Sequence, residues 1–190
     1  MKQITFFIAL LFSTGIHSQA EELQLPYDEL PEYSETFTAG TVAARMVDGL
    51  GFRFYWASEG LLDTDLEYRP NADARSTSET IDHILNLSYV ILNSTLKKAN
   101  EEVDTSEMSF HQKRAQVLMN LKTAADILRD SDDLSQFKII FGEREFPFWN
   151  QINGPIADAI WHCGQIASFR RISGNPINSK ISHFTGTVKD

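Results

Sequence analysis

Residues Ser76–Leu92 read STSETIDHILNLSYVIL. Ser76 and Glu79 have the spacing of a capping box, in which the serine side chain meets the Glu79 backbone and the glutamate reaches back. Behind that cap, Ile81, Ile84, Leu85, Ser88, Ile91 and Leu92 recur at three- and four-residue steps. That period is one face of an amphipathic helix, and strand alternation is absent. The helix runs out in the polar stretch Lys97–Asp104.

Working outward, the same period recurs on both sides. Upstream, from about Ala39, Val47, Leu50, Phe54, Ala57 and Leu61 form a first stripe, which should stop before Tyr68-Arg69-Pro70. Proline pushes the residue before it out of helical geometry. Gly49 and Gly51 weaken that helix or admit a close backbone approach. Downstream, Phe110, Val117, Leu121, Ala124 and Leu128 mark a third helix, ended by Asp130–Asp133. Phe137–Phe148 (FKIIFGEREFPF) reads as a short hairpin or an irregular crossover. A last helix covers about Ile156–Ile172, or starts earlier with a kink at Pro155, and Gly174-Asn175-Pro176 stops it. Four amphipathic helices with few strand signals predict an all-α four-helix bundle over 39–176. An extended, proline-punctuated lead-in occupies 21–38 and a polar tail 177–190 lies along the bundle.

At 190 residues, with 42% hydrophobic and 23% charged residues, the chain suits one domain with a sizeable core. A single cysteine, Cys163, excludes an intrachain disulfide framework and a Cys-only zinc site. The formal charge of −9 argues against a nucleic-acid partner, which needs a basic patch. In residues 1–20, Lys2 is the only charge, Ile4–Phe12 is apolar, and Ser18 and Ala20 stand at −3 and −1 of a cleavage site. This is the pattern of a secretory signal peptide, and it predicts a periplasmic or secreted protein. The apolar run is short for a bilayer crossing, so no stable membrane insertion is expected once it is removed. A retained membrane anchor is the alternative. Cleavage removes one lysine and moves the formal charge from −9 to −10.

One constellation can carry chemistry. Asp158 and His162 lie four residues apart on the last helix. Four residues turn a helix by about 400°, so both side chains leave one face a turn apart. His83 shares a stripe with Leu87 and Val90 in the second helix, which predicts that it faces inward. One His from one helix and an Asp-x-x-x-His pair from another would supply three ligands with an open fourth position, the pattern of a catalytic divalent site. Imidazole and carboxylate suit Zn, Ni, Fe or Mn and do not choose among them. The competing reading is that these groups simply hydrogen-bond one another. Gln165, one turn beyond His162, is either bonded to backbone or an amide beside the site that orients a ligand or substrate. His111 and His183 read as surface or structural, and Cys163 as a small core residue. Tyr55, Trp56 and Trp161 could wall a pocket but read first as core. Arg53, Arg69, Arg170 and Arg171 read first as surface pairs.

The succession Tyr68-Arg69-Pro70, Ser76 with Glu79, His83-Ile84, then His162-Cys163-Gly164-Gln165-Ile166, Arg170-Arg171 and Gly174-Asn175-Pro176 resembles the DinB/YfiT-like superfamily. The resemblance covers roughly residues 39–176, and its most specific part is His-x-Gly-Gln-Ile. It implies an up-down-down-up bundle, a homodimer, and a divalent metal on one His of the second helix and a His-x-x-x-His pair of the fourth. His83 and His162 match two of those ligands. Asp158 stands where the pattern has His, and Trp161 replaces the second His of the common His-His pair. An aspartate there makes a two-His, one-carboxylate set with a weaker Lewis acid, or a site that has lost its metal. The implied activity is that of a metal-dependent hydrolase or thiol transferase on a small molecule whose identity the residues do not reveal. A non-catalytic bundle of stress-response type that binds a metal or small ligand is the alternative. A third alternative is an interaction bundle, with the first helix as the contact surface.

Overall fold

In a computed structural model, residues 24–189 are described, so the signal-peptide reading of 1–20 lies outside them. The chain is mostly helical: α1 (Ala39–Ser58), α2 (Asp63–Glu67), α3 (Thr77–Thr95), α4 (Phe110–Arg129), α5 (Phe148–Gln151) and α6 (Ala157–Ile172). Two short antiparallel hairpins accompany them, β1 (Ile139–Phe141) with β2 (Arg144–Phe146), and β3 (Ile181–Ser182) with β4 (Thr187–Val188). No helix among the described residues is long and apolar enough to cross a membrane.

Among the described residues, three of the four long helices start on capping boxes. Ser76 accepts from the Glu79 amide while the Glu79 carboxylate accepts from the Ser76 amide. Thr38 with Thr41 and Ser109 with Gln112 do the same for α1 and α4. Each satisfies amides that have no partner inside the helix.

The first helix is shorter than its apolar stripe suggested. It ends at Ser58, because Glu59 is extended and Gly60 adopts φ +67°. Arg170, only 4% exposed, donates to the carbonyls of Trp56, Ala57 and Glu59 and so caps the end of α1. Leu61 stays buried beyond the break, and α2 then stops before Pro70 as read. The 137–148 segment is a hairpin, turned by Gly142 at φ +58°.

The predicted stripes form the core: Val47, Leu50 and Phe54 of α1, Ile81, Ile84, Leu85 and Ile91 of α3, and Val117, Leu121 and Leu128 of α4. Helix α1 packs against α4 and α6, and α3 packs against the same two. The contacts fix which ends meet. Arg114, early in α4, reaches Ser58 and Glu59 at the end of α1. Arg129, at the end of α4, reaches Asp48. Lys113 pairs with Asp82 at the start of α3, and Asn120 donates to Ser88 further along.

Small residues hold this packing. At Gly40 a β-carbon would collide with the backbone carbonyls of Ser131 and Leu128, where α1 begins against the end of α4. Backbone cannot move aside as a side-chain tip can. Gly40→Ala is therefore expected to destabilise the fold by about 2 kcal/mol or more. Urea unfolding checks this through a lower midpoint at unchanged slope. At Gly51 the Tyr27 ring lies where a side chain would begin. Tyr27 in turn donates to Asp48 at 3.1 Å and brings the lead-in onto α1. The tail lies against α1 and the lead-in: Ile181 is buried, the His183 ring stands edge-on to Phe52, and Leu30 fits against Gly186.

Between α5 and α6 lies one turn of π-helix, Ile152–Ile156, which contains Pro155. Proline has no amide hydrogen, so the regular ladder cannot continue through it. The wider i→i+5 turn inserts one extra residue and lets the helical run go on instead of breaking. The start suggested near Ile156 is thus a change of pitch inside a run from Phe148 to Ile172.

Candidate metal centre

Helix α6, entered from that π turn, carries Asp158 in its first turn and His162 one turn later. The neighbouring α3, packed against α6, carries His83 in its second turn. The structure brings all three predicted residues together. One ligand atom from each lies within 4.8 Å of the others. His83 Nε2 is 3.0 Å from Asp158 Oδ2, and His162 Nε2 is 3.3 Å from Asp158 Oδ1. The two imidazoles meet edge to face with centroids 4.7 Å apart.

The centre is neither sealed nor splayed. The side chains of His83, Asp158 and His162 are 29%, 39% and 12% exposed. Next to them in the chain, Ile84, Ala159 and Cys163 are buried members of the core. Gln165 does more than fill its turn. Its Oε1 lies 2.6 Å from His162 Nδ1, so Nδ1 donates and Nε2 keeps its lone pair toward Asp158 and His83. A second group that fixes the ring and its tautomer is the usual support of a ligating histidine.

The donor set suits a divalent ion. A tetrahedral ion with ligands at about 2.0–2.1 Å separates neighbouring ligand atoms by about 3.3 Å. His83 Nε2 to Asp158 Oδ2 and His162 Nε2 to Asp158 Oδ1, at 3.0 and 3.3 Å, are near that edge but fall on the two different oxygens of one carboxylate. Two neutral nitrogens and one anionic oxygen also offset part of a 2+ charge.

The other candidates are placed elsewhere. His183 packs on Phe52 in the tail, and burial lowers its pKa. His111 stands exposed at the start of α4, against Phe110. Cys163 is buried and its thiol is pushed up to about 12 by desolvation, which leaves it inert as a nucleophile. Arg69 pairs with Glu79, and Arg53 donates to the Gly49 carbonyl. Arg170 is not a surface residue: it is the buried cap of α1, while Arg171 is exposed. Trp56 donates to the Asp28 carbonyl, and Tyr55 lies under the Arg114 guanidinium, so neither faces the centre. Trp161 is 73% exposed, which corrects its reading as core. The glycines of α1 sit in contacts within the chain, at Tyr27 and at the Arg53 side chain.

Two features went unread in the sequence. Ser109-Phe110-His111-Gln112 is a capping box in plain spelling. The role of Arg170 has no local signal, because the carbonyls it caps are more than 110 residues away. No family model, curated protein or solved structure matches the chain.

Proposed function

We propose that this chain is an exported DinB/YfiT-like bundle that holds a divalent metal on His83, Asp158 and His162 and uses it as a hydrolase- or thiol-transferase-like enzyme. The observation that carries the reading is the convergence of these three donors from α3 and α6. The meeting of helix ends supports up-down-down-up connectivity. Arg114 and Arg129 set α1 against α4 head to tail. Lys113–Asp82 and Asn120–Ser88 run α3 alongside α4, and Arg170 brings the ends of α6 and α1 together.

Each residue has a stated part. His83 and His162 present imidazole nitrogens, Asp158 supplies the compensating charge, and Gln165 holds the His162 ring. The half-exposed carboxylate leaves one side of the centre open to a small molecule. A bound divalent ion would supply Lewis acidity there, making a water or thiol nucleophilic near neutral pH. An exported protein meets little cytoplasmic thiol, which favours the hydrolytic branch.

A second reading, a non-catalytic bundle in which Asp158 simply hydrogen-bonds His83, draws on the same 3.0 Å separation. Metal analysis separates the two. The purified protein, loaded with Zn²⁺ and dialysed, is expected to retain about one equivalent, and His83→Ala to retain far less. Equal content in both proteins would refute the centre.

A further inference from the structure

At the end of the bundle where α1 begins against the end of α4, a cavity of about 440 Å³ opens to solvent. That volume is in the range of small-molecule pockets, roughly 300–1,000 Å³. The lead-in forms its outer wall, because both ends of segment 31–36 are pinned. Arg45 donates to the Pro31 carbonyl at 2.7 Å, and the Thr41 hydroxyl donates to the Thr36 carbonyl at 2.9 Å. Tyr33, Phe37, Val42 and Met46 supply the apolar lining. Tyr33 and Phe37 are 76% and 95% exposed, two large rings left in water.

One charge in the cavity stands apart. Asp48 and Arg129 pair with each other, and Tyr27 holds the second Asp48 oxygen. Arg45 is half-buried, with its guanidinium 4.8 Å from the Tyr33 ring. Among the described residues it pairs with no carboxylate, and its hydrogen bond to Pro31 leaves most of its N–H donors free. Glu32, the remaining charged residue of the lining, is exposed to solvent.

We propose that this cavity binds a small amphipathic carboxylate, its head on Arg45 and its aliphatic body among Tyr33, Phe37, Val42 and Met46. A carboxylate matches the planar guanidinium fork. A hydrocarbon body removes the two rings from water. Asp48 adds no free acceptor to compete for Arg45, since Arg129 and Tyr27 already hold both its oxygens. The site is separate from the metal centre. Lys113, which pairs with Asp82 beside His83, and Arg129 stand sixteen residues apart on α4, about 24 Å along its axis.

Titration calorimetry on the whole chain with octanoate tests the assignment, with octanol as the uncharged probe and a chelator present to keep metal out. Circular dichroism and thermal melting control for folding. The wild type is expected to bind a single octanoate per chain. Arg45→Gln, which can still donate to Pro31, should weaken octanoate about tenfold or more and leave octanol within about twofold. Phe37→Ala, at a side chain that the fold leaves in water, should weaken both probes. Glu32→Gln should bind octanoate as tightly or more tightly, because a like charge is removed. His83→Ala should bind as the wild type does, so the metal reading can fail without this one. A wild type that binds no octanoate, equal loss of both probes in Arg45→Gln, unchanged binding in Phe37→Ala, weaker octanoate in Glu32→Gln, or loss in His83→Ala would each overturn the site. Cosedimentation with phosphatidylcholine vesicles without octanoate binding would assign the two rings to a bilayer surface and overturn it as well.

Discussion

Replacing Asp158 with alanine is expected to lower the affinity for Zn²⁺ by more than about 100-fold, because removing a supporting residue alone commonly costs 10–100-fold. Asp158 is the one donor within 3.3 Å of both imidazoles, and it brings the only negative charge among the three. Without it, two neutral rings would face a 2+ ion alone. Asp158→His should keep a three-ligand centre and bind at least as tightly as the wild type. Calorimetric titration with Zn²⁺, with a competing chelator for the tight binders, reads both variants. The centre is partly exposed and lies outside the packed core, so both proteins should fold. Unchanged affinity in Asp158→Ala would show that the carboxylate is not a ligand.

The second large effect is on stability. Asp48 is 1% exposed and pairs with Arg129 at 2.5 Å, while Tyr27 donates to its other oxygen. Arg129→Ala leaves that carboxylate buried and unpaired, at an expected cost of about 3 kcal/mol, near the low end for buried pairs. The acid response of the variant has a definite sign. Burial holds the Asp48 carboxyl above its ordinary range, and Arg129 and the Tyr27 hydrogen bond offset only part of that. A carboxyl with a raised native pKa binds protons more readily when folded, so its penalty shrinks as pH falls through that value. Losing Arg129 raises it further. The gap between Arg129→Ala and wild type should therefore narrow on acidification, measured as urea midpoints across pH. A gap that is constant or widens in acid would remove the buried charge as its cause.

Asp65 should behave in the opposite way. Burial pushes its carboxyl up, but hydrogen bonds from Asn175, Ser173 and the Leu62 amide, with the Arg170 charge, outweigh burial and hold it below the ordinary carboxylate range. A depressed native pKa stabilises at pH values above the unfolded carboxylate range, and the benefit is lost as pH falls through that range toward the native value. Asp65→Asn should flatten the acid limb of the stability profile in that window, and an unaltered limb would refute the assignment.

Much of the architecture was legible because it depends on local rules. The cap at Ser76 and the stripes of α1, α3 and α4 follow from period and side-chain chemistry within a few residues. The Asp158–His162 pair was legible for the same reason, since one helical turn fixes it. What was illegible depends on distance along the chain. The end of α1 at Ser58 is set partly by Arg170. The standing of Trp161 depends on which face of α6 the core takes. His83 could be placed opposite Asp158 only through the family resemblance, because no local rule tells α3 which neighbour it meets.

The π turn before α6 also bears on how the chain tolerates changes in length. Deleting Pro155, which lacks the amide hydrogen, would remove the extra residue and let an ordinary α-helix run through, with the residues on either side keeping their direction relative to His162. Phe148 and Gln151 would stay on the core side, and Asp158 and His162 would keep their mutual register. The segment thus works as a length buffer, a place where one residue lost is absorbed without re-aiming the approach to the centre.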